Sequence, residues 1–375
     1  MRTVLRAFSA ALVIWAAVTP AASAQPLPGP CDDGTLPSDA RWKICVPAQG
    51  WNGDLVIFAH GYVPNLPGVG LDFFDTLPDG TPVSTLVQGL GFAYATTSYR
   101  QNGLAILEGA DDVRELVEQF TLLFEQPRRT YMTGVSEGGL VAALLAERSP
   151  ELFTGAFAAC GPIGNFRSQI DYFGHFRVLF DYFFPGLFLG TPIDVHPLDV
   201  LRWLDGSTQR EIARRLAAEP AKALQLMKTS RAAFDPADIN TIFQTTTSVL
   251  QYHILGFDDA VAKLEGQPFD NRLHWYFGSS NDLLLNFSVP RFAADARAVR
   301  ALRNYNTSGA LRIPLVTLHT TGDDDVPFAH ELLYLAKVRP SGRGRFIPLP
   351  VFRYGHCNFT TEEVLFGLAV LIAQP

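Results

Sequence analysis

Residues 134–138 read Gly-Val-Ser-Glu-Gly, and they set one hydroxyl, Ser136, among residues with small or absent side chains. A serine becomes a nucleophile only when a base takes its proton and an acid orients that base. Two later stretches carry residues of those types. Residues 318–331, LHTTGDDDVPFAHE, place three aspartates in a row, and residues 352–360, FRYGHCNFT, place His356 before Cys357. A serine, a carboxylate and an imidazole can together transfer an acyl group by way of a covalent intermediate.

Such side chains must be held by something. Residues 129–135 form a β-branched and aromatic run and residues 137–148 a helical pattern, so Ser136 is predicted at a sharp strand-to-helix turn. Gly134 and Gly138 keep that turn free of side chains, and the following helix directs its N-terminus at the site, which favours developing negative charge. Strands are also predicted at 42–46, 54–62, 91–99, 152–160, 312–320 and 345–352. Helices are predicted at 106–124 and 361–372. Alternation at this spacing predicts an α/β fold with a mostly parallel sheet flanked by helices. Ser136, the aspartates and His356 then all fall at the C-terminal ends of strands, where open parallel sheets place their sites.

The alternation lapses for about 150 residues, far more than a crossover needs. Residues 162–309 are therefore read as a large, mainly helical insert between two core segments, 41–161 and 310–375, with 25–40 as an extended leader. Helical patterns occur in the insert at 208–216, 221–234, 237–255 and 291–302. It opens on an aromatic-dense run, residues 165–190, expected either to pack the insert on the main sheet or to line a substrate pocket as a lid.

The chain has 375 residues with 30 basic and 37 acidic side chains. Residues 1–24 have the form of a secretory signal peptide: Arg2 and Arg6, an apolar run at 7–18, and Ala22-Ser23-Ala24 as a cleavage site. Cleavage after Ala24 removes two arginines from the 30, leaving 28 basic against 37 acidic residues, a charge of about −9. An acidic, exported chain without a basic run argues against nucleic acid as a partner, and no later apolar run is long enough for stable membrane insertion. Composition says nothing about oligomeric state.

The four cysteines, Cys31, Cys45, Cys160 and Cys357, allow three disulfide pairings in an oxidising, secreted or periplasmic setting. Cys31 and Cys45 are near neighbours and form the expected local pair, leaving Cys160 with Cys357. No Cys-x-x-Cys or His-Glu-x-x-His pattern occurs, so neither a metal nor another cofactor is expected.

The order serine, acid, histidine along the chain resembles that of the α/β-hydrolase superfamily, and the chain looks like a secreted, esterase- or lipase-like member across residues 41–160 and 310–373. The resemblance implies that Ser136, Asp323 and His356 are catalytic. Asp323 is chosen because Asp323-Asp324-Asp325-Val326-Pro327 matches the family's Asp-x-x-Val-Pro; Asp324 is the second choice and Asp325 the third. It also implies that His60-Gly61-Tyr62 is the oxyanion loop, with the amides of Tyr62 and Glu137 as donors and His60 as a loop anchor. His330 is read as structural. The His356-Cys357 pair is partly similar to tannases and fungal-type feruloyl esterases, in which that cysteine bonds one preceding the serine. Here Val135 occupies that position, so Cys160 offers a different anchor.

The function expected is hydrolysis of carboxylic esters with apolar or aromatic groups, small or polymeric: lipid, feruloyl-type or polyester substrates. The alternatives are a serine exopeptidase, with Asp171 or Glu211 as a charged anchor, and a non-catalytic binding protein.

Overall fold

The computed structural model describes residues 26–77 and 79–375. The segment read as a signal peptide, with its expected cleavage after Ala24, lies outside the described residues.

Eight strands form one sheet among the described residues: β1 Cys31–Thr35, β2 Arg41–Cys45, β3 Asp54–Ala59, β4 Ala93–Thr97, β5 Arg129–Val135, β6 Gly155–Ala159, β7 Leu315–Gly322 and β8 Phe346–Tyr354. Their order is β1-β2-β4-β3-β5-β6-β7-β8. β1, β2 and β4 pair antiparallel, and the pairs from β4 through β3 to β8 are parallel. This mostly parallel sheet with crossover helices is the α/β-hydrolase fold.

The central strands read as apolar runs because both faces of the sheet are covered. Along β3, Leu55, Ile57 and Ala59 belong to one core with residues of α2 (Ile106–Leu123) and α3 (Glu137–Arg148). Val56 and Phe58, pointing the other way, join a second core with α1 (Val83–Gly89) and the C-terminal helix.

Between β6 and β7 lie seven further helices: α4 Phe166–Phe183, α5 Pro197–Leu204, α6 Ser207–Ala218, α7 Pro220–Ser230, α8 Asn240–Lys263, α9 Asp282–Ser288 and α10 Ala296–Ala301. They enclose a core of their own that includes Phe176, Phe180, Phe183, Leu226, Val249 and Phe269. The aromatic run fills both expected roles with different residues and adds a third. Most of α4's aromatic side chains fill this separate core, Phe166 packs on the main one, and Phe173 lines a cavity above the sheet. The chain closes with α11 (Ala329–Lys337) between β7 and β8 and α12 (Thr361–Ile372) after β8.

One expectation needs correction. The leader is not simply extended, because residues 31–35 form the edge strand β1. Cys31 and Cys45 are register partners across the β1–β2 hairpin and are disulfide-bonded. The segment CDDGT is short, polar and mostly exposed, as suits an edge that must not recruit another strand.

Candidate active site

Ser136 sits between β5 and α3 with φ 56° and ψ −119°, a backbone state few side chains adopt. The surrounding packing enforces it. A Cβ on Gly134 would stand 2.0 Å from the carbonyl oxygen of Gly138, and one on Gly138 would stand 2.2 Å from that of Ala59. Both glycines are therefore required by close backbone approach rather than by their own dihedrals. The Ser136 N–H donates to Ala159 O on the neighbouring strand at 2.9 Å, which fixes the turn to the sheet.

His356 follows β8, and its Nε2 lies 2.9 Å from Ser136 Oγ. Its Nδ1 lies 2.8 and 3.0 Å from the two oxygens of Asp323, which follows β7. Of the three adjacent aspartates, only Asp323 presents its carboxylate to the imidazole. Asp324 accepts from the backbone N–H of His356 and from the Tyr354 hydroxyl, each at 3.0 Å. Asp325 accepts from the Ser248 hydroxyl at 2.8 Å. Asp323 Oδ1 also accepts the N–H groups of Asp325 and Val326, so the turn itself orients the acid.

Burial opposes charge on both partners, but the pairing outweighs it. The His356 imidazole is raised to about 9 by the facing Asp323 carboxylate. Asp323 is held well below the usual carboxylate range by His356 and by a second imidazole, His319. The sequence reading missed His319. Its Nε2 is 3.3 Å from Asp323 and its Nδ1 3.1 Å from Glu331, and the two carboxylates raise it to about 10. Ser136, His356, Asp323, His319 and Glu331 thus form one polar chain, half-buried at Ser136 and His356 and buried from Asp323 inward. Its sequence signal was available: His319 points inward from β7, and Glu331 lies on the helix that follows.

The histidine loop is fastened from below. Cys357 is disulfide-bonded to Cys160, which directly follows β6, and its Sγ lies 3.3 Å from His356 Nε2. The Gly355 carbonyl accepts from the Thr320 hydroxyl at 2.6 Å. Cys160, His356 and Cys357 are close enough together to suggest metal ligation, but both sulfurs are in the disulfide and are not thiolates.

The His60-Gly61-Tyr62 loop passes directly over the serine: a Cβ on Gly61 would lie 3.2 Å from Ser136 Cβ. Tyr62 and Glu137 line the same cavity as Ser136. The first amides of a helix have no intrahelical acceptor, so the Glu137 N–H at the start of α3 is available to an oxyanion. The His60 ring is buried against Tyr99 at 4.1 Å and its Nδ1 bonds Gly61 O at 2.7 Å, an anchoring arrangement. His330 is likewise buried and accepts from the Asn165 N–H at 3.3 Å. The Glu137 carboxyl points away from the site into the core, where it accepts from the Ala105 N–H at 2.7 Å and burial raises it to about 8.

Two cavities flank Ser136 and His356. The narrower one, about 90 Å³, is lined by Ser136, Tyr62 and Glu137 and by apolar groups such as Ile170, Phe173 and Phe257. The other, about 590 Å³, opens beside His356 and Tyr354 and is bounded by Trp203 and Phe243 from the insert. Asp171 and Glu211 line neither. Asp171 pairs with Arg167, and Glu211 is held by Arg214 and Arg215. No helix among the described residues is long and apolar enough to cross a membrane.

No protein-family model matches the sequence, and no curated protein matches it. Solved structures similar to the chain include the Pyrococcus furiosus esterase Pf2001, at 11% identity and TM-score 0.47, covering 91% of this chain and 89% of that one. Another is LipA, a rice cell wall degrading esterase from Xanthomonas oryzae, at 12% identity and TM-score 0.42, covering 89% and 84%. An acylaminoacyl peptidase from Pyrococcus horikoshii matches at 10% identity and TM-score 0.44; 87% of this chain is covered, and it spans only 37% of the peptidase. The fold is defined by the strand order and crossovers above, independently of these similarities.

Proposed function

We propose that the protein is a serine hydrolase that cleaves carboxylic esters of short acyl groups through an acyl-enzyme. The supporting observation is the alignment of Ser136 Oγ, His356 and the Asp323 carboxylate by hydrogen bonds of 2.9 and 2.8 Å. In this reading His356 Nε2 takes the Ser136 proton as Oγ attacks the ester carbonyl. Asp323 stabilises the resulting imidazolium, and the Tyr62 and Glu137 amides hold the oxyanion, each worth roughly 3–4 kcal/mol in the transition state. His356 then returns the proton to the departing alkoxide. A water molecule, deprotonated in the same way, releases the acid.

The acyl carbonyl stays against the oxyanion donors throughout, so the narrower cavity beside Tyr62 and Glu137 receives the acyl group. The leaving group departs on the side of His356, toward the wider cavity. Since an apolar cavity of roughly 150 Å³ accommodates benzene, the 90 Å³ here suits an acyl group of roughly three or four carbons. The open alcohol side accommodates a small alcohol or the continuing chain of a polyester. A peptidase reading is less well supported, because Asp171 and Glu211 are engaged elsewhere. The two disulfides suit a protein acting outside the cytoplasm.

Two measurements test this. A fluorophosphonate probe is expected to label the native protein and not Ser136→Ala, and p-nitrophenyl esters from acetate to decanoate should be cleaved with an optimum at or below butyrate. Absence of labelling in the native protein overturns the reading. An optimum at octanoate or decanoate overturns the assignment of the acyl pocket.

A further inference from the structure

The cavity at Ser136 is mainly apolar, and among the polar residues that line it (Tyr62, Glu137, Tyr252 and His253 among them) Gln169 and Asp325 each carry a buried acceptor without a partner. Gln169, buried on α4, donates through Nε2 to the Asp325 backbone carbonyl at 2.7 Å. That bond fixes the orientation of the amide, and Oε1 is left with no partner. Asp325 is also buried. Its Oδ2 accepts from the Ser248 hydroxyl, while Oδ1 is buried and unpaired. Both residues line the cavity that contains Ser136. An unpaired acceptor in such a place is costly, and a polar ligand atom that pairs with it gains what the protein alone forgoes.

Resting on the esterase reading, we propose that this pocket selects short acyl groups bearing a hydroxyl, which Asp325 and Gln169 bind. Both residues line the cavity that contains Ser136, which the esterase reading gives to the acyl part of the ester; Asp325 also borders the wider cavity beside His356. Burial, with the Asp324 and Asp323 carboxylates close by, raises the Asp325 carboxyl above its ordinary value, which favours the acid form. A hydroxyl then accepts from the acid and donates to Gln169 Oε1, satisfying both orphans at once. An anionic substituent would face Asp323 and Asp324 nearby. A cationic one would oppose the imidazolium that forms on His356 during every proton transfer. A neutral group with one donor and one acceptor fits the local charge. The small cavity matches a 3-hydroxybutyryl group or one of similar size.

The test compares kcat/KM for p-nitrophenyl butyrate, 3-hydroxybutyrate and 3-aminobutyrate, using the native protein and the variants Gln169→Met and Asp325→Leu. The native protein is expected to favour the hydroxy ester over butyrate by about ten-fold or more, since sites built to bond a hydroxyl reject the analogue lacking it. Each variant is expected to bring that ratio to about one, and because both esters are compared within the same variant, a general loss of activity cancels. If Asp325→Leu does not fold, Gln169→Met, which retains size and removes the acceptor, carries the comparison. Equal native rates on butyrate and the hydroxy ester overturn the proposal and leave the esterase reading standing. A hydroxy preference that survives both substitutions overturns the assignment to these residues. Preference for the amino ester replaces hydroxyl recognition with ammonium recognition. Cleavage of none of the three esters overturns the esterase reading and this proposal with it.

Discussion

His319 and Asp323 are paired at 3.3 Å inside the protein, with both side chains withdrawn from solvent. The same carboxylate faces His356, so one buried acid is shared by two imidazoles. Replacing His319 with Gln leaves Asp323 and Glu331 buried without their shared positive charge, and a loss of about 3–5 kcal/mol is expected. His319 is raised to about 10 in the folded protein against 6.5 unfolded, so its contribution is fully present below pH 6.5 and is lost as pH rises through about 10. The stability gap between native protein and variant, read from denaturant unfolding, should therefore close at alkaline pH. His319 also lowers the His356 value through its charge, and its removal should move the rising limb of kcat/KM to still higher pH. A limb that does not move assigns His319 a structural role only.

Asp323 and Asp324 are chemically alike and adjacent, yet one meets the His356 ring and the other its backbone. Asp323→Asn is expected to lower kcat by about 10⁴, because the amide favours the wrong tautomer of His356. With the carboxylate gone, the His356 value should also fall from about 9, shifting the residual activity toward acid. Asp324→Asn should cost about ten-fold or less, mainly by loosening the 355–360 loop. Steady-state kinetics on one short-chain ester decides between them, and a larger loss in Asp324→Asn would reverse the assignment.

Glu137 predicts a pH dependence of stability independent of catalysis. Its carboxyl is raised to about 8 against 4.5 unfolded. The favourable contribution is complete below pH 4.5 and is lost as pH rises through about 8, at up to about 1.4 kcal/mol per pH unit. Glu137→Gln retains an acceptor for the Ala105 N–H and cannot ionise. Thermal midpoints measured across pH 5–9 (roughly the window set by those two values) should decline less in the variant. Parallel curves would show that Glu137 does not ionise over this interval.

The Cys160–Cys357 bond spans 197 residues and ends beside His356, whereas Cys31–Cys45 spans 14 and staples an edge hairpin. Replacing Cys160 and Cys357 together with serine should cost about 2–5 kcal/mol and lower kcat more than it changes KM. The Cys31/Cys45 double-serine variant should lower the melting temperature less and leave kcat unchanged. Equal loss of activity in both variants would separate the disulfide from the placement of His356.

Much of the core was legible because its signals are local. α3 and α12 begin and end where the sequence places them, since a tight glycine turn opens one and a Thr360–Glu363 capping box opens the other. β1 was hidden because an exposed polar edge strand has no buried face to create a pattern. α4 was hidden for the opposite reason. Tyr172, Phe176, Val178, Leu179, Phe180 and Phe183 are buried on several sides of the helix, which blurs the 3.6-residue period. α1, α5 and α9, of seven, eight and seven residues, are too short to establish a period at all.

The sequence by itself determined the kind of fold, the turn that carries Ser136, and the order of residue types able to do the chemistry. These follow from periodicity, glycine placement and side-chain type, which neighbouring residues set. Which of three adjacent aspartates faces His356 was decided only by the tertiary structure, as were the reach of His319 to Glu331 and the meeting of Gln169 with Asp325. Each depends on where a backbone turn directs a side chain, or on contact between segments up to 156 residues apart. No local pattern encodes a hydrogen bond that forms only when an insert helix settles over the ends of the strands.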